Sequence, residues 1–177
     1  LERERYYLIV CRLEPENHVR ELIEGYLRTS STYPLVIAGD RSTGTRYVRD
    51  LLELEGPRVR FIGTVYERPV LTSLRYHCYA YLHGHSVGGT NPSLLEALGC
   101  GNMVIAHDNP FNREVAGDAA WYFDGPESVA CSLAEVEQMR GKERAGHHER
   151  SRSRIRDQYT WSAVARRYLE LLQAPVE

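Results

Sequence analysis

No apolar run in the 177 residues approaches the roughly 18 needed for a membrane-spanning helix, and no signal peptide opens the chain. A basic excess is missing as well. Lys plus Arg number 22 against 24 Asp plus Glu, a formal net charge of −2. A dedicated nucleic-acid binder usually carries the opposite balance, so no nucleic-acid partner is expected, although one local anion site remains compatible with it. The 4 cysteines, at positions 11, 78, 100 and 131, form no C-x-x-C. That pattern reads as reduced thiols of a cytosolic protein rather than a disulfide frame or a zinc site. Internal repeats and low-complexity segments are lacking too. The first residue is Leu1 and not Met, which raises the expectation that the chain is a piece of something longer.

What is present is a regular alternation of two hydrophobic periods. With 42% apolar residues, a chain of this length buries roughly 70% of its unfolded surface in one domain. Tyr6–Cys11, Tyr33–Ala38, Val59–Ile62, Cys78–Leu82, Met103–Ala106 and Ala119–Phe123 are short apolar runs with the composition of strands. Between them lie helical stripes, the first being Val19, Leu22, Ile23, Tyr26 and Leu27. Others fall around Val48–Leu52, Arg68–Arg75, Pro92–Leu98 and Phe111–Ala116. Strands alternating with helices imply right-handed crossovers and a parallel sheet covered on both faces. The expected fold is a single doubly wound α/β domain with a six-stranded parallel sheet and a helical C-terminal tail from Pro126 onward.

In such sheets ligands bind at the carboxyl ends of the strands, near the switch in strand order. Three post-strand segments stand out there. In His83-Gly84-His85-Ser86-Val87-Gly88-Gly89-Thr90-Asn91-Pro92, a strand runs through two glycines into a helix with Asn91 as N-cap and Pro92 at its first position. Free amides and the positive dipole end of that helix favour an anion, most naturally phosphate; the plainer alternative is a glycine turn serving tight packing. Glu96 lies in the apolar stretch Leu94–Leu98 and needs a partner if buried. It is either a carboxylate for ribose hydroxyls or a salt-bridged surface group. The second segment carries Arg12, whose planar fork suits phosphate oxygens, and which as a lone arginine would otherwise be a surface ion pair. The third, Phe61–Val65, could read a base edge through its backbone.

Taken in order, R-L-x-P-E near the start, A-G-D at 38–40, F-I-G-T-V at 61–65, N-P-S-L-L-E-A-L-G-C-G at 91–101 and Tyr159-Thr160-Trp161-Ser162 resemble the carboxyl-terminal, donor-binding half of the family 4 retaining glycosyltransferases of GT-B fold. The resemblance covers essentially the whole chain. The segment H-G-H-S-V-G-G-T-N-P-S-L-L-E-A is most similar to the rhamnosyltransferase-like branch, which builds bacterial cell-surface polysaccharide. The resemblance implies a nucleotide-diphosphate sugar as donor substrate, no metal and no other cofactor. It implies that Arg12 and the segment Gly88, Gly89, Thr90 and Asn91 hold the diphosphate, that Glu96 holds the ribose, and that Thr64 and Val65 meet the base. It further implies a glycan or lipid-linked acceptor, a separate amino-terminal acceptor domain that carries the catalytic groups, and no transfer by this chain alone. The location implied is cytoplasmic, at the inner face of the cell membrane.

Two positions depart from the family pattern. Gly88 stands where a first glutamate is usual, and Asn17, followed by His18, stands where a lysine usually accompanies the arginine. His85 and Asn17 are therefore candidate contacts to the sugar. These departures keep a second function open: a non-catalytic nucleotide-binding or interaction module derived from such a transferase. His83 and His85 would make two metal ligands, but no third joins them at a fitting spacing. The tract Arg140–Asp157 holds seven Lys/Arg against three Asp/Glu, a local +4 that leaves −6 on the rest. It reads as a solvated helix face, including His147 and His148, with peripheral contact to anionic lipid as the alternative. Trp161, Val164, Tyr168 and Leu172 read as core packing, with part of the stripe left exposed here if, as in full-length relatives, the last helix reaches back towards an amino-terminal half.

Overall fold

The computed structural model describes residues 1–173. Its strands are β1 (Tyr7–Val10), β2 (Leu35–Ala38), β3 (Val59–Gly63), β4 (Ala80–His83), β5 (Val104–His107) and β6 (Ala120–Phe123). All pair in parallel, in the order β3-β2-β1-β4-β5-β6. The helices are α1 (Val19–Leu27), α2 (Arg46–Leu52), α3 (Arg68–His77), α4 (Pro92–Gly99), α5 (Pro110–Ala116), α6 (Pro126–Gln138), α7 (Gly141–Gln158) and α8 (Trp161–Gln173). The expected α/β alternation is present, with boundaries moved by one to three residues.

Strands only four or five residues long hold because both faces are covered. Tyr7 and Ile9 of β1 point into one core with Leu22 and Tyr26 of α1, Leu51 of α2 and Leu133 of α6. Leu8 points into the other, with Leu94 and Leu98 of α4 and Val115 of α5. Between β1 and β4 the order of the sheet reverses. The loops that leave these two neighbouring strands diverge to opposite faces and open a crevice at their carboxyl ends.

The C-terminal tail differs from the sequence expectations in two respects. The basic tract, expected as a solvated face, is stitched into the fold as α7. His147 is 3% exposed, and its ring stacks on Trp121 with centroids 4.3 Å apart. Arg144 lies over the Tyr79 ring at 4.2 Å, Arg154 donates to the Val115 carbonyl at 3.0 Å, and Ser151 donates to that of Asn102 at 2.9 Å. Long arginine stems cover apolar surface while their heads satisfy carbonyls, so positive charge here serves packing as well as solvation. The second difference is α8. Its apolar stripe, expected as core, is open: Trp161 is 89% and Leu172 81% exposed. Both sheet faces are already covered by the preceding helices, and the stripe is buried by neither of the two cores.

Candidate functional site

The crevice at the ends of β1 and β4 is a cleft of about 350 Å³. One wall is Val10, Cys11, Arg12 and Asn17; the other is His83, Gly84, His85 and the first turn of α4, with Arg75 reaching in from α3. The walls approach closely. An ideal Cβ on Gly84 would stand 1.9 Å from the carbonyl oxygen of Asn17, so only glycine allows β4 to pass this loop.

The first turn of α4 is organised by its own cap. The Asn91 side chain accepts from the Ser93 amide at 2.9 Å, and the Asn91 carbonyl accepts from the Leu94 amide at 3.1 Å. Pro92 has no amide hydrogen. The helix dipole still favours an anion, but the Ser93 and Leu94 amides of its first turn are already engaged. Asn91 lines the cleft as a cap and not as a free ligand.

Beneath that turn lies Arg75, a residue the sequence reading passed over. It is 4% exposed. Its Nη2 sits 2.8 Å from the Glu96 carboxylate and donates to Ser93 Oγ at 3.1 Å. Ser93 Oγ also lies 2.6 Å from the Tyr81 hydroxyl and donates to the Val10 carbonyl at 3.2 Å. Arg75 therefore ties α3, α4 and, through Ser93, β1 together. A signal for it existed: Leu71, Arg75 and Cys78 recur at i, i+4 and i+7, placing a cation on the inward face of α3.

The opposite side is a lattice of imidazoles and carboxamides. Asn17, 4% exposed, donates from Nδ2 to the Arg12 carbonyl at 2.9 Å, and its Oδ1 accepts from His85 Nδ1 at 2.8 Å. Asn112 donates to the His85 carbonyl at 2.9 Å. His18, in a left-handed conformation at φ 46°, contacts Ser86 Oγ at 3.0 Å and stacks on His107 at 4.2 Å. Burial, with help from His85 and His107, pushes His83 down to about 3. His107 is lowered by burial and then by His18. Both imidazoles are therefore neutral at ordinary pH.

The fold thus gathers Arg12, Asn17, His85, Asn91 and Glu96 into one cleft. Arg12 stands at its rim, its side chain 72% exposed and near Glu14 and Glu16 at 3.4 and 3.7 Å. Such exposed pairs are weak and release the guanidinium readily. Glu96 is half exposed and has its partner in Arg75. Asn17 lines the cleft with its oxygen and one amide hydrogen already engaged. Gly88, Gly89 and Thr90 lie in an exposed loop outside the lining. Gly88 is at φ +76°, in the left-handed region that a glutamate rarely adopts, so the departure at this position is built into the backbone. Thr64 and Val65 follow β3, two strands from β1, and are also outside the lining.

Residues 1–154 match the family described as glycosyl transferases group 1. O-antigen chain mannosyltransferase B of Escherichia coli is 28% identical over 138 residues, covering 74% of this chain and 35% of its own length. Among solved structures, HepE of Anabaena in complex with UDP-glucose superposes with a TM-score of 0.80 at 17% identity, over 95% of this chain and 48% of that one. The C-terminal domain of a glycosyl transferase group 1 family protein (LpcC) from Francisella tularensis gives 0.72 at 16% identity, over 88% and 87%. This chain therefore spans about a third of the curated relative and about half of HepE, and it corresponds in extent to an isolated C-terminal domain.

Proposed function

The chain belongs to the group 1 glycosyl transferases, and on that premise we propose that its cleft binds the nucleoside diphosphate of a sugar donor. The observation that carries this reading is the meeting of Arg12, Arg75 and Glu96 around one crevice at the switch point of the sheet. Two cations with a single carboxylate in the cleft lining, the Glu14 and Glu16 pairs of Arg12 being weak and exposed, suit an anion that also offers hydroxyl groups. Arg12 at the rim neutralises the diphosphate, and Glu96, held by Arg75, accepts hydrogen bonds from the ribose hydroxyls. The base extends along the sheet edge towards Thr64 and Val65. The amides of the exposed loop Gly88, Gly89 and Thr90 approach the diphosphate from outside the cleft lining, and His85 and Asn17 lie beside the transferred sugar.

Within the whole transferase, catalysis at this half rests on stabilising the departing diphosphate by fixed charge and dipole, with no metal required of these residues. Transfer proceeds with retention, and rhamnose is the first donor sugar to test, because H-G-H-S-V-G-G-T-N-P-S resembles that branch. The acceptor is a glycan or lipid-linked glycan, brought by an amino-terminal domain. The protein works in the cytoplasm at the inner membrane face.

Calorimetry with UDP, GDP and dTDP tests the site. One of them is expected to bind, and no heat with any at millimolar concentration would refute the reading. Glu96→Ala is expected to weaken that binding by about 1–3 kcal/mol through lost hydrogen bonds to a charged acceptor. Unchanged affinity would remove the ribose role. A panel of nucleotide sugars assayed with full-length protein then fixes the sugar and its anomeric outcome; binding without transfer would favour the non-catalytic module.

A further inference from the structure

Two residues that line the cleft each carry a buried nitrogen with no hydrogen-bond partner among the described residues: His83 Nε2 and Arg75 Nε. Both residues are 4% exposed, and both line the same cavity. An unpaired buried donor costs free energy wherever it occurs. Packing alone does not explain His83. It is the last residue of β4, its ring lies 6.3 Å from Tyr81 at 24°, and a phenylalanine would keep that arrangement without an orphaned nitrogen.

Resting on the nucleotide-sugar reading, we propose that His83 and Arg75 form an inner phosphate subsite of the cleft, distinct from Arg12 at the rim. The chemistry is one-sided. Arg75 can only donate. Its Nη2 is committed to Glu96 and Ser93, which leaves Nε–H and the Nη1 hydrogens for another acceptor. His83 is neutral, so in its Nε2–H tautomer it also donates there while adding no charge. The carboxylate lining this cleft is Glu96, and Arg75 already holds it. Donors without acceptors match the bare oxygens of a phosphate. The subsite also supplies what the neighbourhood lacks. Asn17 carries no charge where a lysine is usual, and the Ser93 and Leu94 amides are spoken for. The second cation instead comes from α3, beneath the α4 dipole.

The test is calorimetry on wild type, His83→Phe and Arg75→Lys, with the tightest of UDP, GDP and dTDP, the matching monophosphate, and inorganic pyrophosphate. His83→Phe keeps the ring and removes the donor; Arg75→Lys keeps the charge and removes Nε. Each is expected to weaken the diphosphate at least tenfold and the monophosphate less than threefold. The unfolding midpoint of ligand-free His83→Phe is expected to stay level or rise, because an unpaired polar group has been removed. Diphosphate affinity within threefold of wild type in both variants would overturn the proposal. So would an equal loss for mono- and diphosphate, which marks a purely architectural or ribose-positioning role. Wild type that binds pyrophosphate through His83 and Arg75 but binds no nucleotide would keep the subsite and sink the nucleotide reading. Binding of neither would end both.

Discussion

Gly84→Ala is expected to cost roughly 3–5 kcal/mol of stability, near the upper end for a single methyl group forced into a packed site. The added carbon would stand 1.9 Å from the Asn17 oxygen and 2.8 Å from its carbonyl carbon. Both are backbone atoms, so no side chain can rotate away. The Asn17 loop cannot retreat cheaply either. Its side chain is tied to the Arg12 carbonyl and to His85, and His18 next to it already holds a left-handed conformation. Relief must come from parting β4 from the β1 loop, which opens the cleft itself. Urea unfolding measures the loss, and the folded fraction of the variant is expected to bind no nucleoside diphosphate. Gly56→Ala serves as the control: nothing lies within 4 Å of its added carbon, and a change within about 0.5 kcal/mol is expected. A Gly84→Ala loss below about 1 kcal/mol would show that the two walls are not in contact as described.

The same contact marks the boundary between what the amino-acid pattern reveals and what it conceals. Hydrophobic period and turn residues disclose each strand and crossover, because those signals lie within a few consecutive residues. The approach of Gly84 to Asn17 joins positions 67 apart in the sequence and leaves no local trace beyond a glycine. His83 shows the same limit. A histidine at the end of an apolar run reads as the start of a loop, yet it pairs with Ala106 inside the sheet, because β5 covers its backbone. Arg75 was visible only as a cation on an inward helical face, and its meaning depends on α4 crossing above it to deliver Ser93 and Glu96. The resemblance pointed to Arg12 and Glu96, which both line the cleft, but could not reveal that the α4 amides are capped internally. In α8 the period marks a helix correctly, whereas whether its stripe is covered depends on surfaces that a period does not contain. His147 fails in the opposite direction: a polar tract hides a contact with Trp121, 26 positions earlier.

Those buried imidazoles make acid the most informative solution variable. His83 is pushed down to about 3, by burial first and by His85 and His107 second. His147 is pushed down to about 4, by burial and then by Arg150 and His148. In the unfolded chain both titrate near 6.5. Between these values the unfolded state binds protons that the folded state refuses, so stability falls as pH falls. The contribution is complete above about pH 6.5 and is lost progressively towards the folded values. From pH 8 to pH 5, His83 alone is expected to remove about 2 kcal/mol, at 1.36 kcal/mol per unit. His147, buried to the same degree against Trp121, removes a comparable amount over the same window. Together this is a large share of the 5–15 kcal/mol typical of a domain. Asp40 and Asp108 do not confuse the window. Ser42 and Arg113 hold them below the ordinary carboxylate value of 3.8, so their contributions fade only at lower pH. Urea midpoints at pH 8, 6.5 and 5 read the slope, and the double variant His83→Phe, His147→Phe is expected to flatten most of it. A midpoint that holds steady in wild type, or falls as steeply in the double variant, would place the acid-sensitive groups elsewhere. A bound nucleoside diphosphate should raise the whole curve by mass action and flatten the part of its slope that His83 supplies, because a phosphate against the ring favours the protonated imidazole.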